Sequence, residues 1–385
     1  MTIALPTALS AAIRGRARTG TGTGIGAPLL PLMALAVAAL LAPAAHAQTT
    51  WRHDAVPFYD TTHALQSLYN HWGQPRSADF ASASQALVPA LRTLCSAPAA
   101  QSAEALGNAR TAWQKAMLAW ESLSGVAVGP VIARRAQRQI DFAPTRPQLI
   151  ERAINTQPVG AKAFERVGTP AKGLPALEWL LWTQPAQPAS PACSYAVEVA
   201  LDVEREAVAL QGAFKDAAQN DWGAEDQQER STQAMGEFIN QWVGGIERLR
   251  WAHMEKPLRA AQGTRPPEYP RAASGLTAQA WNAHWGSLRA LAVLPADAAV
   301  PAPGAALVPL ETYLRGRGLN PLADQLLKAT QNIDSAFSAL TRAGENNATQ
   351  VQQVARELSA LKRLAEAEIA PALQVSIGFS DADGD

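Results

Sequence analysis

This sequence is poor in the residues that usually advertise a chemistry. Cys95 and Cys193 are its only cysteines, and its 33 basic and 33 acidic residues cancel. The charge balance gives no general electrostatic argument for nucleic-acid binding. Valine and isoleucine runs are scarce beside alanine and leucine, which disfavours sheets. There is no His-Glu-x-x-His, no nucleophile elbow, and no serine or cysteine spaced from an evident base. His53, His63 and His71 are not three or four residues apart, so they form no local metal-binding pair. The apolar run from Ile25 through Leu41 contains Pro28 and Pro31, and its proline-free part is too short to cross a bilayer comfortably.

The first residues nonetheless carry an export pattern. Arg14, Arg16 and Arg18 precede a Thr/Gly stretch and the apolar run, and Ala45-His46-Ala47 offers small residues for cleavage before Gln48. Residues 1–47 therefore read as a secretory signal peptide, with a retained anchor or an organelle-targeting peptide as alternatives. No cysteine follows closely enough to carry a lipid anchor. Removing this segment leaves 30 basic and 33 acidic residues, a slightly acidic mature protein with no integral membrane domain, and the periplasm as its expected compartment. There the two cysteines form one disulfide joining the loop after an early helix to the loop before a later one, or else remain separately buried thiols.

Composition and apolar spacing predict a helical chain whose roughly 340 mature residues form two packed units, 48–220 and 221–385. Leu87, Leu91 and Leu94 mark one helix, and Leu106, Trp113, Met117 and Trp120 a second. Beyond a proline-rich connection, residues 194–219 form a third. Met235, Ile239, Trp242, Ile246 and Leu249 define a buried face over 226–254. Helical patterns resume at 276–294, 310–341 and 348–370, separated by further proline-rich crossings.

The most informative window is Lys172 to Trp182. With Pro175 at the first helical position, Leu174, Leu177 and Leu181 share a packing stripe and Glu178 lies on a neighbouring face. Glu178 is either a surface acid near a helix start or a carboxylate facing a cleft. Glu121, near the end of its helix, is either a surface acid or a second carboxylate of that cleft. Arg134 and Arg138 share an i,i+4 face that pairs with acids or receives an anion. His253 reads first as a packing or helix-end residue, and His284, beside Trp285 with no histidine or acid at i+3 or i+4, as a possible cleft residue. The aspartates of the tail, Asp381, Asp383 and Asp385, do not make an EF-hand, since the closing glutamate is absent.

Three pieces together resemble the imelysin-like family: Trp120-Glu121 leading to Gly129-Pro130, the run from Gly173 to Trp182, and the ending from Gly378 to Asp385. The resemblance spans nearly all of the mature chain. It implies an all-α fold with two bundle-like halves and a site near their junction. It also implies an exported bacterial protein associated with iron acquisition, in a family some of whose members have been called peptidases. The family signature, Gly-x-His-x-x-Glu, falls on Gly173, Pro175 and Glu178, so the expected histidine is a proline with no side-chain ligand. The expected site is therefore Glu178 with Glu121 as metal ligands, and Gly173, Pro175 and Arg138 around them, for iron or another divalent metal. The expected function is a periplasmic binding or accessory protein, in contact with an outer-membrane iron-transport component. A metal-assisted peptidase or hydrolase, and a helical interaction module without a metal site, are the competing readings.

Overall fold

The computed structural model describes residues 51–53, 55–261 and 266–378, and among them there is no strand. The expected signal segment and the aspartates of the tail lie outside the described residues. The helices that frame the core and the site among the described residues are α1 (Gln74–Ser96), α2 (Ser102–Ser124), α3 (Gly173–Glu178), α4 (Pro191–Ala218), α5 (Gln228–Glu247), α6 (Thr277–Ala292), α7 (Leu310–Gly316), α8 (Asn320–Ala343) and α9 (Ala348–Leu364). Helix α1 packs on α2 and α4, α8 packs on α9, and α2 lies against α6. No helix among the described residues is long and apolar enough to cross a membrane.

The predicted stripes are the buried faces, except that Leu106 is only half-buried. In α2 they comprise Ala105, Ala109, Trp113, Ala116, Met117, Trp120 and Leu123, at intervals that keep one side of the helix inward. Tryptophan anchors this core twice over, since a buried indole also needs a partner for its N–H. Trp113 donates to the Leu174 carbonyl at 2.9 Å and Trp242 to the Leu288 carbonyl at 3.0 Å. Each bond ties one helix to a particular residue of another, which sets their relative register.

Cys95 and Cys193 form a disulfide, with Cα atoms 5.5 Å apart. They sit in the last turn of α1 and the first turn of α4, inside the helices and not in the flanking loops. The Ser190 hydroxyl caps α4 by accepting from the Cys193 N–H at 3.2 Å. The cap and the cross-link thus fix the same turn. Closing a loop of 98 residues is worth about 4–5 kcal/mol in the chain-entropy account.

Two local features aim side chains at one place. The first is a contact between backbones. A Cβ on Gly245 would lie 2.1 Å from the Gly125 carbonyl oxygen, so only glycine lets α5 approach the end of α2 this closely. The second is the π-helical segment Arg248–Glu255 that continues α5. Residues five apart point about 140° away from each other in an α-helix. Under i→i+5 hydrogen bonding they fall roughly one turn apart and share a side. Arg248 and His253 are such a pair, and both act electrostatically on Glu121 of α2.

Candidate metal centre

Near its C-terminal end, α2 carries Glu121, with 2% of its surface exposed. The glycine contact presses this end against α5 and α6, bringing in His284 from α6 and His253 from the π-helical segment. One ligand atom from each of Glu121, His253 and His284 lies within 4.8 Å of the other two. The two imidazoles meet edge to face, with centroids 5.3 Å apart. His284 is fully buried, whereas His253 keeps part of its surface open.

The tautomer of His284 follows from its neighbours. Its Nε2 lies 3.1 Å from the Gly245 carbonyl oxygen, which can only accept, so Nε2 carries the hydrogen. Nδ1 is then a bare lone pair. It has no hydrogen-bond partner and faces Glu121 Oε2 at 3.5 Å. Two acceptors therefore confront each other in a buried space, an arrangement that a proton or a cation between them resolves. Donation of the remote imidazole N–H to a backbone carbonyl is also the usual support for a metal-ligating histidine.

Electrostatics reflect the same shortage of compensation. Desolvation raises the Glu121 pKa above the usual carboxylate range, against the pull of His253, Arg271 and Arg248. Desolvation lowers His253 to about 3, with Glu121 opposing and His284, Arg248 and Arg271 adding to the fall. His284 is lowered well below its ordinary value, again first by desolvation and then by Arg248. Both imidazoles are neutral at neutral pH, the state in which they bind metals.

Two guanidiniums bound the cluster. Arg271 donates to both oxygens of Asp141 and reaches Glu121 Oε1 at 3.4 Å. Asp141 also accepts from Trp120 Nε1 at 3.3 Å. Burial would lower the Arg271 pKa, but Asp141, Glu121 and Glu178 raise it above its ordinary value. Arg271 has a left-handed backbone, φ +67°, which turns the chain after the proline-rich crossing so that its side chain enters the cluster. Arg248 caps the end of α2 by donating to the Ser124 and Gly125 carbonyls. Burial lowers its pKa, with Glu121 and Asp141 acting the other way.

Glu178 is buried beside this group and oriented by different partners. Its Oε1 accepts from the Ser274 hydroxyl at 2.7 Å and the Ser274 backbone N–H at 3.1 Å. It acts electrostatically on Arg271, and through Arg271 it adjoins Glu121. The two expected ligand acids are thus neighbours in one polar cluster, but the ligand-sized group forms around Glu121 and excludes Glu178.

The motif around Glu178 has local reasons for its sequence. Gly173 has φ +78°, and a Cβ there would lie 2.4 Å from the Ile140 carbonyl oxygen. Helix α3 begins at Gly173, so Pro175 is its third residue and not its first. Its missing N–H remains among the first four, which have no intrahelical acceptor, so the proline costs no hydrogen bond. Leu174, Leu177 and Leu181 are all fully buried, as the stripe predicts. Arg138 is exposed and forms no ion pair among the described residues. Its neighbour Arg134 pairs on the surface with Glu206 at 2.8 Å. Arg271, Arg248, Asp141 and Ser274, none of them among the expected site residues, supply the polar contacts.

Residues 73–370 match the family model Peptidase_M75, Imelysin. Two solved structures share the fold. An imelysin-like protein from Psychrobacter arcticum 273-4 is 19% identical, with a TM-score of 0.65 over 84% of this chain and 99% of that one. A putative iron-regulated protein A precursor from Parabacteroides distasonis ATCC 8503 is 15% identical, with a TM-score of 0.64 over 81% of this chain and 95% of that one. No curated protein matches the sequence. With its family model covering most of the length, and with the Gly173-to-Trp182 motif folded at the edge of a buried polar cluster, this chain belongs to the imelysin family.

Proposed function

We propose that this protein is an exported binding or accessory protein of iron acquisition that holds one transition-metal ion between Glu121, His253 and His284. The observation that carries the reading is His284 Nδ1, which has no hydrogen-bond partner, facing Glu121 Oε2 at 3.5 Å in a buried space. Ligand atoms around a tetrahedral ion with bonds of about 2.1 Å are about 3.4 Å apart, so this pair needs almost no adjustment. His253, on the partly open side, is the third ligand and the point of entry. In this reading Glu178 holds Ser274 and steadies Arg271, and does not ligate the ion. The substitution of Pro175 for the signature histidine is then tolerable, because the imidazoles come from elsewhere in the chain.

The iron context draws support from the name of the Parabacteroides relative, and export from the segment Arg14 to Ala47. The periplasm is the compartment this implies, and an outer-membrane iron-transport component the partner. Binding is favoured over peptide hydrolysis because Glu121 and His284 are sealed from a polypeptide substrate. Calorimetric titration of the mature protein with zinc and with ferrous iron tests the site. One ion per chain is expected, abolished by Glu121→Gln or His284→Gln and retained by Glu178→Gln. Loss of binding in Glu178→Gln alone would move the site to the motif acid, and no binding by the unaltered protein would remove it.

A further inference from the structure

The chemistry around Glu121 also specifies the charge of the ion. We infer that this site takes a divalent first-row cation, ferrous iron in the iron-acquisition setting, and discriminates against ferric iron and bulky ferric chelates. The inference rests on the metal-site reading above and concerns which oxidation state that site accepts.

Donor type is the first argument. Two neutral imidazoles and one carboxylate are borderline donors suited to divalent iron, cobalt, nickel, copper and zinc, and a two-histidine, one-carboxylate set is a recurrent holder of ferrous iron. Ferric iron is a harder acid and is best matched by a shell of anionic oxygens. Of the three nearby carboxylates, only Glu121 belongs to the ligand-sized group. Asp141 is committed to Arg271 and Trp120, and Glu178 to Ser274.

Charge is the second argument. The three acids Glu121, Asp141 and Glu178 face the two guanidiniums of Arg248 and Arg271, which leaves one negative charge when Glu121 is ionised as a ligand must be. A divalent ion takes this buried group to one net positive charge, and a trivalent ion takes it to two. The cost of burying charge rises steeply with its magnitude, and the group's other two acids are already held by Arg271, Trp120 and Ser274. Space is the third argument. With Glu121 and His284 closed to solvent, an organic chelate has no access to them.

Competition against zinc separates the outcomes. Purified mature protein loaded with one zinc ion is challenged under anaerobic conditions with ferrous iron, and separately with ferric nitrilotriacetate and with gallium(III), a redox-inert trivalent probe. Ferrous iron is expected to exchange with zinc at the same site, and each trivalent ion to bind more weakly than ferrous iron by at least about tenfold. Replacing an imidazole with an anionic oxygen should narrow that gap, so His253→Asp, at the partly open position, is expected to gain gallium affinity relative to zinc. His284→Asp gives an independent reading if the first variant unfolds, with folding checked by thermal melting. Gallium or ferric iron binding as tightly as ferrous iron at the zinc site would overturn the inference while leaving the metal site in place. Binding of none of these ions would remove both.

Discussion

Glu311 and Glu121 are both sealed glutamates, with 0% and 2% of their surface exposed, and the protein surrounds them differently. Glu311, at the start of α7, accepts from Arg52 Nε at 2.6 Å and Nη2 at 3.1 Å, and from Arg315 Nε at 3.3 Å and Nη2 at 3.1 Å. Arg315 continues to Asp324 at 2.6 Å, and Arg52 to the Leu294 carbonyl at 2.8 Å. That network is complete, each charge meeting its opposite at hydrogen-bonding distance. Glu121 has one guanidinium nitrogen at 3.4 Å and, on its other oxygen, the lone pair of an imidazole. One cluster therefore reads as a brace joining the Arg52 segment to α7, and the other is the one proposed above to hold a cation. Depth of burial is the same; completeness of pairing distinguishes them.

The comparison can be broken by matched substitutions. Glu311→Gln leaves Arg52 without its anion and Arg315 with Asp324 alone, and is expected to lower stability by roughly 3–5 kcal/mol in urea denaturation. Glu121→Gln in metal-free protein removes an acid that burial already disfavours, while Arg271 keeps both oxygens of Asp141, so its cost should stay within about 1 kcal/mol. Equal losses would mean that Glu121 is a structural brace as well. Added metal sharpens the contrast: zinc at 100 times its dissociation constant should stabilise the unaltered protein and Glu311→Gln alike by about 2.7 kcal/mol, and Glu121→Gln not at all.

A third buried acid sets a smaller effect. Desolvation would raise the Glu247 pKa, but Arg250 and Lys362 outweigh it and hold the group below its ordinary value. A carboxyl with a depressed folded pKa contributes stability that is present above its unfolded value, about 4.3, and lost as the pH falls through the folded value. Stability measured from pH 5 downward should therefore decline less steeply in Glu247→Gln than in the unaltered protein. An unchanged acid limb would show that these ion pairs contribute nothing.

Much of the fold is legible in the sequence because helix periodicity and packing are local. The stripes of α1, α2 and α5, and the buried Leu174, Leu177 and Leu181, follow from spacing alone, and the imelysin resemblance rests on contiguous motifs. The cysteine pair was open between a bridge and separate thiols, and the fold joins it. The metal-sized cluster is less legible because no two of its members share a helix. His253 and His284 have no helical-spacing partner, and only the close approach of Gly125 and Gly245 brings them to Glu121. Arg271 emerges from a proline-rich crossing whose left-handed turn has no periodic signature, and the π-helical segment breaks the 3.6-residue phase that would relate Arg248 to His253. Charge and chain proximity put Arg138 beside the site, but its side of the short helix Ala136–Ile140 faces solvent.

Where a bound cation sits is the most direct question this account poses. Crystals of the mature protein grown with cobalt(II), measured on both sides of the cobalt absorption edge, should show one anomalous peak per chain within bonding distance of Glu121, His253 and His284. A peak at Glu178 without these three, or fully occupied cobalt elsewhere with none at Glu121, would contradict it.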